Sequence, residues 1–417
     1  MSILDGSHRG AHAYMLLFSL RFTEVIWVVY LREKGFSYAS IGLFETIFHI
    51  ASFSSEVPTG IIADRWGRKT SLFLGRVLAA IAAAIMLFAR SWAFLAVSFA
   101  IHAVSYTCHS GAFDALLYDS LPDERKSSFT RLMGRINSTA LLGTSLAGVA
   151  AAALIARVSL DYLYWASIMV DAMAAVAALS LPEDLAARRV ARRNMLAPAT
   201  PSAAAGGFLS DVKALLRTLR RRDLRNLLLL WGAVSALGTS AIFYGQSLLK
   251  ESLVPLSLVP IASTLGSLLA IVPTRSAYRI EERFGQLRAA AGGSFFIPAT
   301  VLAMGLVPGK AGWPGRAAVV ALYLGLIVLQ ETMYPLFSDA VNTRTGSANR
   351  ATVLSSGSMM FSVSMMVTFP LIGFVGDRIG LHWGMVAAAA LTTLCLAPMA
   401  ASLLRERSSR KPSSLQG

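Results

Sequence analysis

Two ionisable residues lie inside the first long apolar stretch of the chain. Arg21 and Glu24 are three residues apart, and in a helix this spacing places both side chains on one face. An ionisable group in an apolar environment is costly unless it is paired or faces a wet cavity. One interpretation is therefore a self-paired structural couple. The other is that Glu24 binds a substrate or carries a proton, with Arg21 controlling its protonation.

Four further candidates lie in later apolar stretches. Glu331 has Gln330 beside it and Tyr334 one turn further on, and no cation falls within one turn. Asp114 lies toward the end of the fourth apolar stretch. A cavity containing these groups with Arg21 and Glu24 would be polar and of mixed sign, which suits a zwitterionic, cationic or peptide-like molecule better than an apolar one.

The remaining polar groups are weaker candidates for a substrate or proton site. Asp171 lies in the sixth apolar stretch, which we expect to pack away from the cavity, so we place it below Asp114. His49, His102 and His109 could titrate near neutral pH, but an isolated helical histidine is more often a packing residue. The patterns HExxH, GxSxG and GxxxxGK[ST] are absent. We therefore predict no catalytic residue, metal or cofactor, and no use of ATP.

The composition shows which elements must position these residues. Of 417 residues, 55% are apolar and 15% charged, and the mean hydropathy is +0.58, whereas globular chains are about a quarter charged. A helix that spans a bilayer needs about 20 apolar residues. The sequence therefore predicts an all-α membrane protein of twelve transmembrane helices, at 12–31, 39–63, 71–89, 92–118, 130–156, 161–181, 225–249, 253–272, 287–307, 316–338, 350–375 and 383–404.

The distribution of positive charge predicts the topology. Lys and Arg concentrate in cytoplasmic segments, and the polar, Arg-rich stretch 182–224 becomes a cytoplasmic linker if the N-terminus lies inside. Contact with anionic lipid headgroups then accounts for the formal net charge of +15, and nucleic-acid binding is not needed. We expect no cleaved signal peptide. The predicted outer loops hold only Arg32, Lys34, Arg90, Arg157, Lys250, Lys310, Arg316 and Arg378.

A motif with the sequence GIIADRWGRK at 60–69 follows the second predicted helix. We expect Gly60 and Gly67 to permit a tight turn with close helix approach, and Asp64 to face a helix N-terminus. The motif resembles the signature loop of the major facilitator superfamily, G-x-x-x-D-R-x-G-R-[KR]. Weaker echoes, ERFG at 282–285 and GFVGDRIG at 373–380, favour two related six-helix halves.

The resemblance extends over nearly the whole chain. The segments EVPTG at 56–60, GAFDALLYDSL at 111–121 and RATVLS at 350–355 look like segments of bacterial drug and metabolite exporters of this superfamily. In that family an acid at the inner end of the fourth helix pairs with the signature loop. Asp119 occupies the matching place, with Arg68 as its expected partner. The implied gating residues are Gly60, Asp64, Arg65, Gly67, Arg68 and Asp119.

Two features of many drug and proton antiporters are missing from this sequence. The fourth helix has no Arg before Gly111, and the fifth has Gly143 and Gly148 but no Gly-Pro element. The resemblance still implies a proton-coupled exporter of amphiphilic drugs or small polar metabolites that works by alternating access. An importer or an uncoupled facilitator is the alternative within transport. A membrane-embedded enzyme or receptor is the alternative from another class.

The resulting organisation has four parts. These are an N-terminal six-helix half at 1–181, the linker at 182–224, a C-terminal half at 225–404 and a basic tail at 405–417. The implied fold is the major facilitator fold, with the substrate site near the midplane between the repeats. We expect a monomer in the bacterial cytoplasmic membrane with both termini inside. Its partners would be a small-molecule substrate, protons and lipids.

Overall fold

The computed structural model describes residues 6–121, 126, 128–181, 216, 218–307, 312–345 and 350–409. The α-helices in these ranges are α1 (Gly6–Ser19), α2 (Trp27–Glu33), α3 (Tyr38–Trp66), α4 (Arg68–Phe88), α5 (Trp92–His109), α6 (Ala112–Ser120), α7 (Phe129–Ile155), α8 (Asp161–Ala178), α9 (Arg222–Glu251), α10 (Leu258–Arg275), α11 (Ala277–Phe284), α12 (Gln286–Gly293), α13 (Phe296–Leu306), α14 (Trp313–Asn342), α15 (Arg350–Ile379) and α16 (Leu381–Ser409). The all-α membrane fold is confirmed. The predicted linker, apart from 216 and 218–224, and tail residues 410–417 lie outside the described residues.

Eight stretches of the described residues are long and apolar enough to cross a membrane. They coincide with the predicted third, fifth and seventh to twelfth spans. They are Arg68–Phe88, Phe129–Ile155, Leu224–Glu251, Leu258–Arg275, Gln286–Leu306, Trp313–Asn342, Val353–Ile379 and Leu381–Leu404.

Three spans predicted as continuous helices are broken, and these predictions were wrong. The ninth span divides into α12 and α13 at residues 294 and 295. The fourth span divides into α5 and α6 at Gly111, whose φ of 73° lies in the left-handed region that glycine adopts without strain. The first span divides into α1 and α2 because residues 20–26 do not continue the helix. Sequence periodicity did not reveal these breaks, since the segments that flank them are apolar.

The chain forms two compact units. One comprises residues 1–27 and 47–208, and the other comprises 28–46 and 209–417. In the first unit α4 packs on α5 and α8, and α1 packs on α7 and α8. In the second unit α9 packs on α15 and α16, and α10 packs on α14. This division differs from the sequence division in that 28–46 packs with the C-terminal helices.

The second unit holds 28–46 through polar contacts at the start of α3. The two carboxylate oxygens of Asp377 accept hydrogen bonds from the backbone N–H groups of Tyr38 and Ala39, at 2.9 and 2.8 Å. A carboxylate at a helix N-terminus accepts hydrogen bonds from otherwise unpaired N–H groups and interacts favourably with the helix dipole. The hydroxyl of Tyr38 donates to Glu251 at 2.6 Å, and Gly373 packs against the backbone of Tyr38 so closely that a Cβ would lie 2.3 Å from its carbonyl oxygen.

Candidate functional site

The break in the first span, residues 20–26, is called here the unwound segment. Non-helical backbone at membrane depth is tolerated only where it is buried in protein or lines a wet cavity. The carbonyl oxygen of Ser19 accepts a hydrogen bond from the hydroxyl of Thr144 on α7, at 3.5 Å. Gly143 allows this approach, because a Cβ there would lie 2.8 Å from the carbonyl oxygen of Leu16. The fifth span thus supports the end of α1.

Arg21 and Glu24 lie on the unwound segment and form the expected pair. The Arg21 Nη1 to Glu24 Oε2 distance is 3.2 Å, and the side chains are 40% and 47% exposed. The guanidinium carbon of Arg21 lies 4.7 Å from the ring centroid of Phe18. The pairing is confirmed, but the two residues are presented by irregular backbone and not by a helix face. This half-exposed pair can exchange partners with a solute.

A second ion pair joins α4 to α8 in the same unit. Arg76 Nη1 lies 2.9 Å from Asp171 Oδ1, with the side chains 10% and 17% exposed. Arg76 Nη2 lies 3.4 Å from the hydroxyl oxygen of Ser105 on α5. The guanidinium carbon of Arg76 is 4.6 Å from the Phe18 ring centroid, so two guanidinium groups contact one ring. Arg21, Glu24, Arg76 and Asp171 are called the polar centre from here on.

Arg76 was not among the residues singled out from the sequence, and Asp171 ranked below Asp114. The structure pairs Asp171 with Arg76 in the interior of the first unit. A signal for this pair was available in the sequence. Arg76 lies about two turns into an apolar helix, and Asp171 lies midway along another. Two intramembrane charges of opposite sign are expected to seek each other.

Aromatic and histidine rings enclose the polar centre. The rings of Phe18 and His109 stack with centroids 3.8 Å apart, and His109 Nδ1 is 3.0 Å from the hydroxyl oxygen of Tyr14. His102 packs against Phe48 with centroids 5.6 Å apart. The histidines therefore form part of the packing around the centre, as a helical histidine was expected to do.

The candidates on α14 point in different directions. Gln330 donates from Nε2 to the carbonyl oxygen of Ser235 at 3.2 Å and to the hydroxyl of Thr239 at 3.3 Å, so it faces α9. Glu331 is exposed and makes no ion pair with another described residue. Tyr334 is 64% exposed and packs edge-on against Trp231, with centroids 5.8 Å apart. The structure therefore separates Gln330 from the other two.

Asp114 lies in the first turn of α6, just after the Gly111 break. Its side chain is exposed, and within the described ranges it has no ion pair. An acidic residue in the first turn of a helix is favoured by the helix dipole. Its position is therefore explained locally, and the structure does not bring it into the polar centre.

In the structure, only one residue of the signature motif at 60–69 lies between two helices. α3 ends at Trp66, α4 begins at Arg68, and Gly67 between them has φ of 94°. The expected ion pair between Arg68 and Asp119 is confirmed. Gly60 lies inside α3 with open space at its Cα, so its assignment to the turn was wrong. Asp64 is exposed, and its expected place in the Arg68 network is not seen among the described residues.

The two echoes of the signature adopt the same backbone form. Gly285, with φ of 80°, separates α11 from α12, and Gly380, with φ of 106°, separates α15 from α16. At the first echo burial, followed by the charge of Asp339 and a hydrogen bond to it, raises the pKa of Glu281. Gln286 also donates from Nε2 to Asp339. The repeated motif thus encodes a repeated helix–glycine–helix turn.

Solved structures of several transporters share this fold. The nucleoside transporter NupG superposes with a TM-score of 0.74 at 13% identity, covering 98% of this chain and 100% of that chain. The peptide transporter POT in complex with sulfate gives 0.69 at 13% identity, covering 96% and 94%. A D-xylose–proton symporter gives 0.66 at 13% identity, covering 94% and 96%. At these identities the likeness shows the fold alone.

Sequence comparison supplies the family. A relative from Bacillus subtilis (strain 168), the uncharacterized MFS-type transporter YxaM, is 34% identical over 89 residues, which is 21% of this chain and 22% of that protein. The match thus spans about a fifth of the relative. The family model of the Major Facilitator Superfamily matches residues 13–367. Because that match extends over most of the chain, the protein belongs to the major facilitator superfamily.

Proposed function

We propose that this chain is a proton-coupled secondary transporter of small zwitterionic or polar metabolites. The observation that carries the proposal is the half-exposed Arg21–Glu24 pair on the unwound segment. A substrate carboxylate can replace Glu24 at Arg21, and a substrate ammonium can replace Arg21 at Glu24. Broken helices that present polar groups at membrane depth are typical of transporter binding sites. The Phe18 ring beside Arg21 supplies an apolar contact for the rest of the solute.

The direction of transport has two candidates. The resemblance to drug and metabolite exporters favours export by proton antiport. Uptake with protons is favoured by a separate observation, since one of the structural neighbours is described as a proton symporter. The proposed setting is the bacterial cytoplasmic membrane with both termini inside, as the predicted concentration of Lys and Arg in inner segments supports. A monomer surrounded by anionic lipid fits the same charge distribution.

The gating residues form a second part of the proposal. The Arg68–Asp119 pair ties the start of α4 to the end of α6 at the signature loop. We propose that Asp64, one turn before Arg68, joins this pair when the inner side closes. Asp64→Asn should then abolish cycling and leave expression and thermal stability unchanged. Normal transport by this variant would exclude a gating role for Asp64.

Purified protein in liposomes tests the function directly. We expect a pH gradient to drive net movement of at least one compound in a labelled panel of amino acids, dipeptides, nucleosides and pentoses. The sign of the effective gradient distinguishes symport from antiport. Protein-free liposomes and the Glu24→Gln variant are the controls. If the protein moves only apolar cations, or moves nothing in the panel, the proposed substrate class is wrong.

A further inference from the structure

We propose that Arg76 and Asp171 form a coupling site, in which the anionic group of a substrate binds Arg76 while Asp171 takes up a proton. This inference rests on the proposed function and deepens it. It assigns the proton to Asp171 and the substrate anion to Arg76. It also selects co-transport of proton and substrate over exchange.

The first support is that the Arg76 charge is enclosed. Its side chain is 10% exposed, and arginine keeps its proton in proteins. A buried guanidinium left without a counter-charge is strongly unfavourable. Some anion must therefore face Arg76 at all times, either Asp171 or a replacement. Asp171 can therefore lose its negative charge by protonation only when another anion takes its place beside Arg76.

The second support is that the guanidinium has donors to spare. Arg76 binds Asp171 through Nη1 and Ser105 through Nη2, while its Nε is buried without a hydrogen-bond partner. A guanidinium carries five N–H donors in a planar fork that suits a carboxylate or phosphate. The present contacts leave part of that fork unused. An incoming anion would gain bonds that Asp171 does not now accept.

The third support is the set of charges around the pair. Arg76 on α4 and Arg21 on the unwound segment both act on Asp171, which in turn acts on Tyr14 of α1. His102 and His109 of α5 lie within electrostatic range of the two guanidinium groups. Glu24 already neutralises Arg21. Protonation of Asp171 would therefore leave Arg76 without a counter-charge, and the carboxylate of a substrate can take that place.

These steps balance without covalent chemistry. A proton moves from water to a carboxylate oxygen of Asp171, and the Arg76–Asp171 bond is replaced by a bond from Arg76 to the substrate anion. A zwitterion could then place its carboxylate at Arg76 and its ammonium group at Glu24. The Phe18 ring, which contacts both guanidinium groups, keeps the two ends of the site close together. Proton and anion bind together, so they cross together.

The alternative of proton–cation exchange fits this pair poorly. In such exchange a substrate cation and a proton compete for one carboxylate. Asp171 has a permanent cation 2.9 Å away, which would repel a second one. The substrate class is therefore a small solute with a carboxylate, and a zwitterion fits the whole polar centre best.

The test uses a dipeptide and the C-terminal amide of the same dipeptide as matched probes. Wild-type protein should bind the free acid about tenfold or more tightly than the amide, because the amide lacks the anion that Arg76 needs. In weakly buffered detergent, addition of the free acid should cause proton uptake, and addition of the amide should cause none. Equal binding of the two probes, or binding of the free acid without proton uptake, would overturn the inference.

Substitutions test whether Asp171 is the residue that couples proton movement to transport. Asp171→Asn should lose accumulation driven by a pH gradient while retaining exchange of labelled for unlabelled dipeptide. Asp161→Asn, on the same helix but outside the polar centre, should retain both. Gradient-driven accumulation by Asp171→Asn would sink the proposal. If Asp171→Asn fails to fold, the double variant Arg76→Gln with Asp171→Asn removes both charges and should take up no proton when the free acid is added; proton uptake by this variant would overturn the inference.

The outcomes separate this inference from the proposed function. If wild-type protein moves no member of the panel, the proposed function fails. If it moves a zwitterion with a pH gradient and Asp171→Asn does the same, only the coupling site fails. Glu24→Gln provides a further distinction, since it should weaken binding of the zwitterion while leaving proton uptake with a simple carboxylate intact.

Discussion

The polar centre of the first unit and Glu331 of the second unit present their carboxylates in opposite ways. In the first unit Glu24 and Asp171 each contact an arginine, and both arginines contact the ring of Phe18. In the second unit Glu331 is exposed on α14 and lacks an ion pair among the described residues. Arginine-paired carboxylates can exchange partners with a charged solute, whereas an isolated carboxylate can only gain a proton or a cation. We therefore expect the first unit to recognise a zwitterion.

The largest expected effect comes from breaking the enclosed pair. Arg76→Ala should destabilise the protein by about 3 to 5 kcal/mol, because it leaves Asp171 in the interior without its partner. Glu331→Ala should lower the free energy of unfolding far less, since the Glu331 side chain is exposed and its removal leaves no buried charge without a partner. Thermal unfolding in detergent measures both variants. Similar melting temperatures for the two would mean that the contrast between the units has no energetic basis.

The next effect distinguishes the units by transport. Glu24→Gln should lower kcat/KM for a zwitterionic substrate at least about tenfold, because one charge-assisted contact is lost. Glu331→Gln should impair transport less if the first unit recognises the substrate. Arg21→Lys serves as the matched control, since it keeps the charge beside Glu24. A larger loss from Glu331→Gln than from Glu24→Gln would reverse the comparison and move recognition to α14.

The sequence predicted the fold more fully than the site. Apolar stretches of about 20 residues placed the spans, because the bilayer dictates helix length. The Arg68–Asp119 pair followed from a family resemblance. The Arg76–Asp171 pair joins residues 95 positions apart, and only the packing of α4 against α8 brings them together. The unwound segment was also missed, because helix breaks at membrane depth depend on support from neighbours such as Thr144.

A smaller effect concerns the cap that holds 28–46 in the second unit. Asp377→Asn keeps one acceptor oxygen at the start of α3, but it removes the charge that interacts favourably with the helix dipole and one of the two hydrogen bonds, because an amide nitrogen cannot accept from a backbone N–H. We expect a loss of about 0.3 to 1 kcal/mol, seen as a modest fall in melting temperature. Asp161→Asn at the start of α8 gives a comparison with the first unit. No fall for Asp377→Asn would mean that one hydrogen bond to the start of α3 suffices without the charge and without the second bond.

The smallest effect is a pH dependence at the first echo of the signature loop, outside the membrane spans. Burial and the neighbouring Asp339 raise the pKa of Glu281 in the folded protein. A raised carboxyl pKa contributes stability that is fully present below the unfolded value and is lost as the pH rises through the folded value. Glu281→Gln, which stays neutral, should therefore gain stability relative to wild type at about pH 8 and lose that advantage near pH 4. The gain should be about 0.5 kcal/mol or less, because Glu281 is only partly buried and solvent screens its charge.

Glu282→Gln, on the exposed neighbouring residue, should show no such trend. Parallel melting curves for Glu281→Gln and wild type across this range would show that folding does not raise the pKa of Glu281.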